Sequence, residues 1–135
     1  MCKFILSLLV IIFTCYFSFA EDYTLSSPNE EITVRIKLTD KVYYAVDFQG
    51  KNLMWYSPIS MAVGGNVLGV DPKLLSKEEQ SVNTSIQTVW GIRSSISDMY
   101  HELILNMEGD YSLIFRAYDD GIAYRFRSTS TGELT

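Results

Sequence analysis

Beyond residue 15 the chain has no cysteine, because its two are Cys2 and Cys15. A domain starting after residue 20 therefore has no disulfide, no thiolate metal site and no cysteine nucleophile. Histidine is nearly absent as well. His101 is the single one, which excludes a histidine metal cluster. No run or stripe of lysine and arginine occurs. With eleven basic against sixteen acidic residues, the balance argues against nucleic acid and anionic membrane as partners. Also missing are an internal repeat, a low-complexity tract and a convincing amphipathic helix.

The one long apolar run lies at the front, in MCKFILSLLVIIFTCYFSFA. Lys3 supplies a positive start, Phe4 to Phe19 carry no charge, and Ser18-Phe19-Ala20 places small residues before Glu21. This is the three-part pattern of a cleavable export signal over residues 1–20. A membrane anchor would use a run of similar length. Here, however, the run ends at a small-residue cleavage site and no basic stop-transfer cluster follows. Acylation at Cys15 is disfavoured, because Ile12-Phe13-Thr14 lacks small residues and the apolar run continues past the cysteine. Residues 21–135 then form one small domain, with no membrane span once the signal is removed. Secretion without disulfides suits a bacterial periplasm better than an animal ectodomain.

Period-two alternation dominates the remainder. Ile32, Val34, Ile36 and Leu38 alternate with Thr33, Arg35 and Lys37, and Val42, Tyr44, Val46 and Phe48 continue the pattern after an Asp40-Lys41 turn. These read as two half-buried strands of a hairpin. Leu53–Tyr56, closed by Ser57-Pro58, and Ile59–Val63 are shorter strand candidates, with a turn at Gly64-Gly65-Asn66. Asp71-Pro72 opens a loop, and Leu74–Gln80 reads as one helical turn or a polar excursion. Strand signals return at Ser85–Trp90 and Ile92–Ser97, then strongly over Met99–Met107. Turns at Glu108-Gly109-Asp110 and Asp119-Asp120-Gly121 flank the last two strands. Short strands punctuated by turns predict an all-β fold, an antiparallel β-sandwich. The polar exit Ser128–Thr135 reads as a loop within a longer protein, or as a cut end, so the sandwich is expected to be incomplete. Its unpaired edges predict a tendency to associate.

Four segments in order carry a resemblance to a known family. Ser27-Pro28-Asn29 precedes Ile32-Thr33-Val34, and Tyr43-Tyr44-Ala45-Val46 precedes Gly50-Lys51. Val89-Trp90-Gly91 is followed by Tyr100-His101-Glu102-Leu103, with His101 where asparagine is usual. The block Ile114-Phe115-Arg116-Ala117-Tyr118-Asp119-Asp120-Gly121-Ile122-Ala123-Tyr124-Arg125-Phe126 is the longest. Residues 26–127 thus resemble the front of the amino-terminal domain of glycoside hydrolase family 97, the bacterial α-glucosidase and α-galactosidase family. The resemblance implies a galactose-mutarotase-like super-sandwich preceding a catalytic (β/α)8 barrel of the same protein. It also implies an oligo- or polysaccharide substrate, and an active-site calcium in the full-length enzyme but no cofactor held by this chain. No residue here matches a catalytic or metal-binding position of that family.

Trp90, Tyr100, His101 and Glu102 are the candidates for substrate contact, since sugars stack on aromatic rings and bond to polar side chains. Each has a plainer reading. Aromatics fill sandwich cores, and His101 and Glu102 are strand neighbours that point to opposite faces rather than converging on one substrate. Asp119-Asp120 could supply the paired carboxyls of glycoside hydrolysis. Acids before a glycine more often make a hairpin turn, with the glycine at positive φ, and they lack the ring of oxygens calcium needs. Arg116 and Arg125 flank that turn and are expected to pair with Asp or Glu across strands. No convergent acid–base or nucleophilic set is present. The chain therefore reads as a non-catalytic sandwich segment of an exported α-glycosidase, the alternative being a free-standing secreted carbohydrate-binding or envelope interaction module.

Overall fold

A computed structural model describes residues 20–87 and 95–129. Ten strands run in chain order: β1 (Glu21–Ser26), β2 (Ile32–Leu38), β3 (Val42–Phe48), β4 (Lys51–Ile59), β5 (Met61–Val63), β6 (Asn66–Leu68), β7 (Leu74–Gln87), β8 (Ser95–Met107), β9 (Tyr111–Tyr118) and β10 (Gly121–Ser128). They form two four-stranded antiparallel sheets, ordered β1-β2-β3-β4 and β10-β9-β8-β7, plus a small β5–β6 hairpin. The all-β sandwich expected from the alternation is the observed fold.

The alternating residues do what their period requires. Ile32, Val34, Ile36 and Leu38 are buried, whereas Thr33, Arg35 and Lys37 are half-buried on the opposite face. Val34, Ile36 and Leu38 meet Leu103, Leu105, Met107, Tyr111, Leu113, Phe115 and Ala117 from the second sheet. Complete burial of Phe115, Leu103 and Leu113 makes this the centre of the core. Gln49 and Gly50 take positive φ in the β3–β4 turn, as Gly109 and Asp110 do between β8 and β9.

Three local expectations are corrected, and one strand, Glu21–Ser26, has no reading from the sequence because Tyr23 and Leu25 are its only apolar markers; its partner β2 supplies the ladder. Leu74–Gln80 is neither a helical turn nor a polar excursion. It belongs to a 14-residue strand paired along β8, so tertiary pairing overrides the helix preference of Lys, Glu and Gln. Ser57-Pro58 does not close a strand. β4 runs through it, because Pro58 lies on an edge strand where a missing N–H is tolerated. Gly121 does not have the positive φ expected of it, so the β9–β10 turn closes without it. Residues 1–19 of the export signal read over 1–20, and the strand signals across residues 88–94, lie outside the described residues.

The sheets are stacked with an offset. β1 lies against β8 and β9, and β2 lies against β9. Tyr44 of β3 meets Tyr124 of β10 with ring centroids 5.3 Å apart. The end strands β4 and β7 therefore overhang the opposing sheet on opposite flanks.

Candidate functional site

Chemistry concentrates on the outer face of the second sheet, across a row of residues in register. Gln80 on β7 stands opposite Glu102 on β8, and Glu102 stands opposite Arg116 on β9. Glu102 is only 4% exposed. Its two oxygens are both engaged: Gln80 Nε2 donates to Oε1 at 2.5 Å and Arg116 Nε donates to Oε2 at 2.5 Å. Burial pushes the Glu102 carboxyl up, but the hydrogen bonds from Arg116 and Gln80 outweigh it and hold the carboxyl below the ordinary range. The same bond raises the Arg116 guanidinium further. Glu102 is therefore an ionised partner in a satisfied pair, without the proton a general acid must carry. The cross-strand pairing expected for Arg116 is this one. Arg125 adds a favourable electrostatic contribution to Glu102.

Aromatic rings flank the pair. The Arg116 guanidinium lies 4.4 Å from the Tyr100 ring centroid, and Tyr100 meets Tyr118 at 5.2 Å. Tyr100 is 7% exposed, so its ring is spent on packing rather than offered as an open platform. Beside it, Ile114, Arg116, Tyr118, Ala123, Tyr124 and Arg125 line a shallow hollow of about 110 Å3.

His101 points to the other face, as strand alternation requires. Its Nδ1 lies 2.8 Å from the Ser26 carbonyl and ties β8 to β1 across the two sheets. His101 also borders a hollow of about 350 Å3 at the β1–β7 flank, with Thr24, Ser26, Glu79 and Ser81. Of the four candidates for substrate contact, the structure sets Tyr100 and Glu102 on one face and His101 on the other, while Trp90 lies outside the described residues. Gln80 completes the Glu102 cluster and was missed, because it falls in the segment whose composition masked its strand.

The Asp119-Asp120 turn has a longer reach than a local hairpin. Asp119 Oδ1 accepts the Asn29 backbone N–H at 2.8 Å, pinning the β9–β10 turn to the β1–β2 turn. No group of three or more histidine, cysteine, aspartate or glutamate side chains is arranged to hold a metal among the described residues. With both oxygens of Glu102 bonded and Asp119 tied to Asn29, these acids do not fit calcium. No described helix is long and apolar enough to cross a membrane.

Comparison with known proteins places this architecture. Residues 25–135 match the family model described as Glycosyl-hydrolase 97 N-terminal. Over 120 residues the chain is 33% identical to a retaining alpha-galactosidase of Bacteroides thetaiotaomicron, covering 88% of this chain and 18% of that protein. Among solved structures, a glycoside hydrolase family 97 enzyme from Pseudoalteromonas sp. strain K8, in complex with acarbose, superposes with a TM-score of 0.69. It is 23% identical and covers 78% of this chain and 17% of its own. A beta-arabinopyranosidase superposes with a TM-score of 0.70 at 22% identity, over 78% of this chain and 18% of its own. The two structures share the fold, and the chain spans less than a fifth of each relative's length. The family model and the 33% identical relative settle the membership: this chain belongs to glycoside hydrolase family 97 and corresponds to its amino-terminal domain.

Proposed function

We propose that this chain is the non-catalytic amino-terminal sandwich of an exported α-glycosidase, packing on the catalytic (β/α)8 barrel of its parent protein and supporting carbohydrate binding there. The observation that carries the non-catalytic part is the state of Glu102. It is the one buried carboxylate among the described residues, and Arg116 and Gln80 hold it ionised and fully bonded. Glycoside hydrolysis needs one protonated and one ionised carboxyl flanking the scissile bond; Glu102 lacks the proton for the first role, and both of its oxygens are already bonded within the sheet. The carboxylates and the calcium of the active site then belong to the barrel portion of the parent enzyme. Export rests on residues 1–20, and a mature amino terminus at Glu21 in a periplasmic extract is its check.

The decisive assay incubates the chain with 4-nitrophenyl α-glucoside and α-galactoside. No release above buffer is expected. Hydrolysis that disappears in Glu102→Gln would overturn the non-catalytic reading.

A further inference from the structure

We propose that the shallow hollow on the outer face of β9 and β10 binds a small aliphatic carboxylate, clamped between Arg116 and Arg125. Strand register builds the site. Arg116 on β9 stands opposite Ala123 on β10, and Ile114 stands opposite Arg125. The two arginines therefore occupy diagonal corners of one cross-strand square, with their Cβ atoms about 7 Å apart. Ile114 and Ala123 take the other two corners and give the hollow an apolar floor. Ile114 is buried, and Ala123 is too short to fill the space beside Arg116.

Charge on this face is unbalanced. The chain as a whole is acidic, with a formal net charge of -5. The outer side of β9 and β10 nevertheless carries Arg116, Arg125 and Arg127 and no acid. Glu102 on β8 is the neighbouring carboxylate, and Arg116 Nε and Gln80 Nε2 already take both of its oxygens. Asp119 at the turn is bonded to Asn29. Arg125 is exposed and forms no ion pair among the described residues, acting on Glu102 only from longer range. Two cations held on one diagonal repel each other unless an anion lies between them. Arg116 gives Nε to Glu102 and has Tyr118 within reach, and its Nη atoms carry further donors. A carboxylate is the anion whose two oxygens match the planar fork of a guanidinium.

Size sets the rest of the ligand. The hollow measures about 110 Å3. A cavity of about 150 Å3 admits benzene, so this one has room for roughly four to six non-hydrogen atoms. That is a carboxylate on a stem of two or three carbons, with the stem resting on Ile114 and Ala123. A protein partner fits less well. The outer face of β9 and β10 exposes no large apolar side chain, because Tyr124 turns its ring towards Tyr44 and Phe115 on the core side. The site stands on these residues alone and does not depend on the glycosidase reading.

The test titrates the isotope-labelled chain with sodium butyrate, butyramide and inorganic phosphate at constant ionic strength, reading backbone amide shifts by NMR. Butyrate and butyramide share a shape and differ in charge. Butyrate is expected to shift the amides of Ile114–Arg116 and Ala123–Arg125 saturably, with half-saturation below about 10 mM. It should bind at least about tenfold more tightly than butyramide or phosphate. Ala123→Leu fills the hollow and keeps both arginines, while Arg125→Gln removes one cation at an exposed position. Each is expected to weaken butyrate about tenfold or more. Ligand-free spectra show whether each variant keeps the fold, and should one unfold, the other decides. Equal binding of butyramide or phosphate, shifts centred elsewhere in the chain, or no saturation up to about 50 mM overturns the proposal. So does undiminished butyrate binding by a folded variant. A blocked glutamate, N-acetyl-glutamate methylamide, binding about tenfold more tightly than butyrate makes a protein side chain the occupant and overturns it too.

Discussion

The two flanks of this sandwich overhang in the same way but are finished differently. At the β1–β7 flank, the overhanging strand faces inward with polar side chains, and polar bonds join the sheets: His101 holds the Ser26 carbonyl, and Lys77 Nζ sits 5.7 Å from the Tyr23 ring centroid. At the β4–β10 flank the overhang exposes Leu53, Trp55 and Tyr124, and although Leu75 is exposed on β7 too, the β7 residues opposite the core-facing side chains of β8 are Lys77, Glu79, Ser81 and Asn83. A flank finished with polar groups is stable in water as it stands. An apolar flank leaves part of the hydrophobic driving force unused until something covers it. The difference teaches that two flanks with the same kind of overhang can be finished by side chains of opposite polarity.

Substitutions sharpen that contrast, beginning with the largest effect. Next to the polar flank, Glu102→Ala strands Arg116 and Gln80 and is expected to cost about 2 kcal/mol. This lies below the usual range for a broken buried pair because Arg116 is partly solvated. The same carboxyl gives a pH signature. Its folded-state pKa is depressed, so its contribution is present above the ordinary carboxylate range and is lost as pH falls through the folded value. Urea midpoints for wild type should therefore drop as pH falls below the ordinary glutamate value of 4.5, and Glu102→Gln should flatten that drop. An unchanged profile would remove Glu102 from the account.

A smaller effect is expected for His101→Ala, about 1 kcal/mol from one hydrogen bond between the sheets. Faster hydrogen exchange in β1 than in β9 would locate the loss at the flank, whereas uniform acceleration would show the bond is not a local tie. Smallest of all are Leu53→Ser and Trp55→Ser. Chemical denaturation of either should stay within about 0.5 kcal/mol of wild type, because neither side chain is buried in this chain. A loss above about 1.5 kcal/mol would mean that the β4 flank is already covered, and the contrast between the flanks would fail.

How far the residues alone could be read varies along the chain for a definite reason. Where one face is wet and one dry, as in Ile32–Leu38, alternation is visible and the strand follows. β9 is dry on both faces at Tyr111–Phe115, yet its aromatic and branched residues and its bounding turns still mark it. β7 is nearly wet on both faces, so no alternation survives and its Lys-Glu-Glu-Gln composition points to a helix. Only the length of β8 beside it makes it a strand. The same masking hid Gln80 and with it one third of the Glu102 cluster. By contrast, the opposite facing of His101 and Glu102 was legible, because it depends on strand period alone.

Sequence by itself determined the fold class, the strand hairpins around β2–β3 and β9–β10, the family, and the lack of thiol or histidine metal chemistry. Those depend on local period, turn chemistry and residue inventory, all of which are written along the chain. Tertiary structure alone decided that Glu102 is bonded on both oxygens, that Asp119 reaches Asn29, and that the sheets are offset so as to leave Trp55 exposed among the described residues. Each of these joins residues far apart in sequence, and their distance in space is set by how two sheets stack rather than by any local preference.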